Sequence, residues 1–339
     1  MARPSIGLFA LIPLIMGILA VFPVPSQASQ YRLVDVYNWK NFFSAFDFFT
    51  DSDPTHGFVQ YVDFPTANAT GLARIDNRKI YLGVDYTTPT TAGRASVRVS
   101  SKKAYTHGLF VADIQHMPAG VGPAGSCALW PAFWSFGPDW PNSGEIDIIE
   151  GVHNQLFDMV TLHTGPGCLV RDTGGARPGT VLMRQDCEGF MGCSQWTETP
   201  NTYGAQFNAN GGGVFAMEWT SRHIKVWFFP RNDAVAIQLA DPEHSVSAIT
   251  PPSRRHRHGH RSLNNLTIDL TDTFSPAGHN QTDNNDDAYS SAPAMMNPSL
   301  WGQPLASFLA SDTCDFDQHF RQHNLIFDTT FCGDWAGAT

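Results

Sequence analysis

Ser143-Gly144-Glu145-Ile146-Asp147-Ile148-Ile149-Glu150-Gly151 is the stretch that decides how this chain folds. From Glu145 to Ile148 acid and isoleucine alternate with the period of two that marks a β-strand. In such a strand Glu145 and Asp147 project from one face while Ile146 and Ile148 enter a core. A regular strand would send Glu150 to the opposite face. One extra residue, a β-bulge, returns it to the face of Glu145, and bulges recur beside active sites. Three carboxylates on one face repel one another and are poorly explained as structure. The bland alternatives are a charged edge strand that resists aggregation, or a cation site. Inward isoleucines with glycines at both ends favour a buried central strand, where perturbed carboxylates point to chemistry.

The same reading extends outward. Tyr31–Trp39, Phe58–Asp63, Ile80–Val84, Ala95–Ser100, Leu109–Gln115 and Ala128–Ser135 are strand candidates before the acids. Met159–His163, Val214–Trp219, His223–Phe229 and Leu325–Phe331 follow them. No long window carries a helical period, and many short strands argue for a β-sandwich or jelly roll. Composition agrees: among 339 residues, 29 Gly and 23 Pro with 12% aromatic and only 15% charged residues favour strands and turns. Ser245 to Pro298 breaks the pattern. It is polar, opens near the basic run Arg254–Arg261, and reads as a disordered insertion unable to bury enough apolar surface. Its histidines, His256 to His260, lack the ordered flanks a metal site needs.

A net charge of −10 argues against a nucleic-acid partner, which needs clustered Lys and Arg. Residues 1–28 read as a secretory signal peptide, with Arg3, the apolar run Leu8–Phe22 and small residues before a cut after Ala28. Residues 29–339 then form one catalytic domain, secreted or cell-wall associated, monomeric and free of the membrane once cleaved. Six cysteines in an exported chain favour disulfides, and Cys314 with Cys332 is the expected bridge. Asn68, Asn265 and Asn280 open glycosylation sequons.

The acids have a specific use. Glycosidic cleavage needs one protonated acid for the leaving oxygen and one carboxylate for the anomeric carbon; carboxyls about 5 Å apart imply a retaining double displacement. Glu145 is the expected nucleophile and Glu150 the general acid, then base. Asp147 between them is expected to hydrogen-bond Glu145 and to keep Glu150 protonated through its negative field. Indole faces stack on sugar rings, and Trp134 and Trp140 flank the acids, whereas Trp130 reads at least as well as core. No metal or other cofactor is expected. A lone histidine such as His163 is ordinarily a packed residue; here it is a candidate to bond a sugar hydroxyl or Glu150.

Leu129-Trp130-Pro131-Ala132-Phe133-Trp134, followed by Trp140-Pro141-Asn142-Ser143-Gly144-Glu145-Ile146-Asp147-Ile148-Ile149-Glu150, resembles family 16 glycoside hydrolases of the fungal laminarinase type. The likeness covers nearly all of Tyr31 to Gly337 outside the insertion, including Trp301–Ala306 and Cys332–Gly337. It implies a β-jelly roll of two antiparallel sheets with a concave substrate cleft and endo-hydrolysis of β-1,3 or mixed β-1,3/1,4 glucan. It also implies that Glu145 and Glu150 act as nucleophile and acid/base, with Trp134, Trp140, His163 and Trp301 as substrate contacts. Two departures stand out: the long polar insertion, and a stop at Thr339 where relatives continue into a further strand and cysteine pair. From these the expectation is an unpaired sheet edge and marginal stability. A glucan transglycosylase and a non-hydrolysing glucan-binding protein are the competing readings.

Overall fold

The computed structural model describes residues 31–120, 129–240 and 296–338. The signal peptide, Cys127, the sequons at Asn265 and Asn280, and the insertion up to residue 295 lie outside the described residues. Among the described residues sixteen strands run in chain order. The first eight are β1 (Phe46–Phe48), β2 (Val59–Tyr61), β3 (Ala73–Asp76), β4 (Lys79–Leu82), β5 (Arg94–Ser96), β6 (Val99–Ser101), β7 (Gly108–Ile114) and β8 (Leu129–Phe136). The rest are β9 (Glu145–Glu150), β10 (Met159–His163), β11 (Val181–Leu182), β12 (Cys193–Trp196), β13 (Gly213–Trp219), β14 (His223–Pro230), β15 (Ala306–Leu309) and β16 (Asn324–Phe331). The described helices are short, none longer than the seven residues of Ala234–Ala240.

Two antiparallel sheets carry the fold, the β-jelly roll sandwich expected. The larger is ordered β1-β6-β16-β8-β9-β10-β12-β11 and the smaller β15-β14-β13-β7. One core joins them: Ile146, Ile148, Val160 and Leu162 from the large sheet pack with Phe215, Met217, Trp219, Ile224, Val226 and Phe228 from the small one. Strand alternation explains the set, because β13 is buried along its whole length. Its odd-numbered residues Phe215 to Trp219 face the acid strand. Val214 and Ala216 face outward, under the helix Ala234–Ala240.

A polar clamp ties the layers. Gln195 on β12 is fully buried, and its side-chain amide donates to the Ser307 carbonyl (2.8 Å) while its carbonyl accepts the Ser307 N–H (2.9 Å). Both polar ends are satisfied, so the hydrogen bonds offset the cost of taking this amide out of water.

Two expectations are corrected here. Tyr31–Trp39 forms no strand: only Tyr31 pairs, as an isolated bridge to Met296. Its sequence alternates too irregularly to present one apolar face. Cys314 bonds Cys168 rather than Cys332, and Cys187 bonds Cys193. Cys314 leads into the helix Phe316–His319 and not into β16, so its side chain meets the loop after β10, while Cys332 follows β16 at the sheet's far end. β16 itself is hydrogen-bonded on both sides, to β6 and β8.

Candidate active site

The acids sit on β9 between β8 and β10. Glu145 pairs with Phe136, Asp147 with Trp134, Ile149 with Phe133 and Glu150 with Ala132, and the register shifts between Phe133 and Trp134. Ile148 is therefore the extra residue of a β-bulge. Residues 132, 134 and 136 alternate onto one face of β8, so Glu145, Asp147 and Glu150 share that face, away from the core. On the other side His163 pairs with Glu145 and Thr161 with Asp147.

His163 organises the acids. Its Nε2 lies 3.1 Å from Asp147 Oδ2 and 3.8 Å from Glu145 Oε1, and its Nδ1 lies 3.0 Å from the Gly189 carbonyl oxygen. Sequence reading gives Asp147 a hydrogen bond to Glu145; the structure pairs it with His163 instead, and His163 turns to these two acids rather than to Glu150. Burial works against a charge on His163, but Asp147, Glu145 and the Gly189 carbonyl outweigh it and push its pKa up to about 10. The side chain of Asp147 is 2% exposed against 17% for Glu145, so only the glutamate is open to a ligand. Donor atoms of Glu145, Asp147 and His163 lie within 4.8 Å of one another.

Burial, then the charge of Asp147, pushes Glu145 up to about 8, against relief from His163, a Trp140 hydrogen bond and Arg98. Burial and Asp147 also hold Glu150 well above the ordinary carboxylate range, with relief first from Trp130. The sign for stability follows. A carboxyl raised like Glu145 stabilises the fold fully below about 4.5 and loses that contribution as pH climbs through about 8. His163, raised from 6.5 to about 10, behaves alike at higher pH. Buried His323, pushed down to about 4, opposes them only below 6.5. The midpoint of thermal unfolding should therefore fall between about pH 6.5 and pH 9, and calorimetry showing a rise would contradict it.

Several site residues carry no legible signal in sequence. Trp130, which reads at least as well as core, is buried in a small apolar cluster and also directs Nε1–H to Glu150 Oε1 at 2.8 Å. Asp158 is buried and accepts the Glu150 backbone N–H at 3.0 Å, so it braces the bulge from β10's entry. Tyr203 donates its hydroxyl to the Gly151 carbonyl at 2.6 Å, fixing the strand's end. Asp328 on β16 accepts from Trp134 Nε1 at 3.3 Å and lies 3.9 Å from Arg98, whose guanidinium sits over the Trp134 ring.

The turn into β9 depends on Gly144. Its φ is +78°, and a Cβ there would lie 2.4 Å from a Phe320 ring carbon and 2.5 Å from the His319 carbonyl oxygen. Gly144→Ala should destabilise the protein by about 1–3 kcal/mol, measured by denaturant unfolding, and reduce any activity that depends on Glu145. An unchanged unfolding midpoint would show the turn to be adaptable.

The predicted aromatic contacts separate. Trp134 shares the acid face, stacked 5.1 Å from Phe136. Trp140 is 44% exposed, enough to offer a ring face while bonding Glu145. Trp301 is not brought to the acids. It packs edge-on against Trp227 and Phe229 in the cluster outside the small sheet, so the core of the sandwich intervenes. That position corrects the expectation of substrate contact in this cleft.

Comparison with known proteins accords with this geometry. The family model of the XgeA-like catalytic GH16 domain matches residues 46–271 and 280–339. Endo-1,3(4)-β-glucanase xgeA of Emericella nidulans is 36% identical over 326 residues, 94% of this chain and 42% of that protein. A probable glycosidase of Schizosaccharomyces pombe is 35% identical over 92% of this chain and 62% of its own length. This chain thus spans less than two thirds of these curated relatives. Among solved structures, laminarinase 16A of Phanerochaete chrysosporium, holding 6-O-glucosyl-laminaritriose in donor and acceptor sites, is 36% identical. The match covers 91% of this chain and 87% of that one, with TM-score 0.69. An elongating GH family 16 β-1,3-glucosyltransferase is 35% identical, covering 91% and 85%, with TM-score 0.67.

Proposed function

Because this chain belongs to glycoside hydrolase family 16, as an XgeA-like catalytic domain, we propose that it hydrolyses internal β-1,3 linkages, or mixed β-1,3/1,4 linkages, of glucan with retention. Glu145 is the nucleophile, Glu150 the acid/base and Asp147 the residue that sets their charge through His163. The observation that carries the assignment is an asymmetry between the outer acids. Glu145 has His163 Nε2 3.8 Å away and is relieved first by His163 and then by a Trp140 donor, whereas Glu150 is relieved first by the Trp130 donor and only then by His163. When one proton leaves the cluster, Glu145 is the better place for the negative charge. Glu150 keeps its proton for the leaving oxygen.

Attack by Glu145 on the anomeric carbon forms a glycosyl ester as Glu150 protonates the departing sugar. Glu150, now a carboxylate, takes a proton from water as water displaces Glu145. Trp134 and Trp140 offer ring faces to neighbouring glucose units. Residues 1–28 would direct the chain to the cell exterior, where glucan is found. Hydrolysis and transfer share the first half-reaction, and the similarity to a glucosyltransferase keeps transfer as the second reading.

Incubation with laminarin and lichenan, wild type beside Glu145→Gln, separates the readings. New reducing ends that vanish in the variant support hydrolysis. Altered chain lengths at a constant reducing-end count support transfer. Retention on glucan with neither leaves only a binding protein.

A further inference from the structure

One feature on the acid face is unlike a sugar site. A cavity of about 250 Å³ lies beyond β10, lined by Gln155, Leu156, Phe157, Met159, Met183 and Trp196. Met159 pairs with Trp196 across β10 and β12, and Met159 has the parity of Thr161 and His163, so the cavity opens on the same face as the acids. It also lies at the Glu150 end of β9. Asp158, next to Met159, accepts the Glu150 N–H, and Gln155 Oε1 accepts the Val152 N–H at 2.6 Å. Glu145 sits at the other end of β9, opposite His163.

The lining suits an apolar ring and not a hexose. None of the six side chains is charged. The Gln155 carbonyl is already engaged, and the Trp196 N–H points to Met183 Sδ at 2.9 Å. A glucose ring brought here would leave hydroxyls desolvated with few side-chain partners, which is unfavourable. A flat apolar group meets the Phe157 and Trp196 rings, 6.2 Å apart, and two polarisable thioethers. Space is adequate, since an apolar cavity of about 150 Å³ already admits benzene. Leu156 (41%) and Met183 (60%) are exposed, so the mouth is open to an entering molecule.

We propose that this cavity is an aglycone pocket that seats the apolar part of an aryl or arylalkyl alcohol beside Glu150, making such alcohols preferred glycosyl acceptors. The proposal rests on the glycosyl-enzyme chemistry given above. The acceptor oxygen forms a bond to the anomeric carbon while the ester bond to Glu145 breaks, its electron pair returning to that carboxylate. The hydroxyl proton passes to the Glu150 carboxylate. Run in reverse, the same pocket receives the aglycone of an aryl glucoside before Glu150 protonates it.

Two measurements on the full chain test this, with Met183→Lys placing a charge at the exposed rim without disturbing the core. In a tryptophan-fluorescence titration, 2-phenylethyl β-glucoside should bind about tenfold more tightly than methyl β-glucoside, a preference of the size one buried aryl group supplies. Met183→Lys should erase most of that ratio. A ratio near one, or a ratio that survives in Met183→Lys, overturns the pocket assignment. In the second, laminarin is incubated with equal concentrations of 2-phenylethanol and ethanol, and products are weighed by mass spectrometry. Phenylethyl glucosides should predominate in the wild type and lose that lead in Met183→Lys while laminarin cleavage continues. Cleavage with no aryl preference overturns the acceptor role. A tenfold binding ratio without any laminarin cleavage overturns the hydrolase reading and the transfer step but upholds the pocket.

Discussion

Glu150→Gln should lower release of reducing ends from laminarin by roughly 10²- to 10⁴-fold, the share a positioned proton donor contributes. Its effect on a 4-nitrophenyl β-glucan oligosaccharide should be far smaller, because nitrophenolate departs without help from an acid. Glu145→Gln should abolish turnover of both substrates, since the glycosyl ester cannot form. The contrast comes from the separate partners of the two side chains. Trp130 bonds Glu150, while His163 and Trp140 serve Glu145. Glutamine keeps the size of each side chain, so a fall in activity reports chemistry and not collapse of the bulge. The same Glu145→Gln protein should also unfold at a higher temperature near pH 8, having lost a buried charge repelled by Asp147. Equal losses on both substrates in both variants would refute the division of roles.

The second large effect concerns stability. Cys168→Ser with Cys314→Ser should destabilise the fold by about 4–5 kcal/mol, because the bridge closes a loop with a sequence separation of 146. The midpoint of thermal unfolding should drop by roughly 6–8 °C for a domain of this size. Cys187 and Cys193 are only six positions apart, so their loss should matter much less. Both residues of the long bridge are buried, which leaves two hydroxyls in an apolar setting and adds to the penalty. A midpoint lowered equally by either pair would show that chain entropy is not the main contribution.

Much of this architecture is legible in local pattern. Alternation of acid and isoleucine located β9, and the need to bring Glu150 round implied a bulge that the register places at Ile148. Gly108–Ile114 is readable from its period of two, and His223–Pro230 from an apolar run bounded by turn residues. Short strands like Phe46–Phe48 and Val181–Leu182 carry too few residues for any period to show. Trp130 shows only half of its role in sequence, because a buried indole satisfies packing and bonding together: its ring is core, as expected, and its N–H reaches Glu150. Asp158 gives no sign at all, since an acid that braces a backbone amide looks like any loop acid until the chain is folded. Trp301 follows a motif by resemblance, yet its location is set by tertiary packing against Trp227 and Phe229. Cysteine spacing cannot choose among partners that only the assembled sheets bring within bonding distance.

The position of β16 has a consequence for how the molecule is made. It lies between β6 and β8, and Trp134 meets Asp328 across 194 positions of sequence. During synthesis β8 must wait for that partner, with Phe133, which stacks on Phe327 of β16, unshielded in the interval. Such distant pairing slows refolding and exposes nascent chains to aggregation. The sheet that bears the acids is then among the last parts to close, so a chain interrupted before residue 324 would emerge without a competent centre.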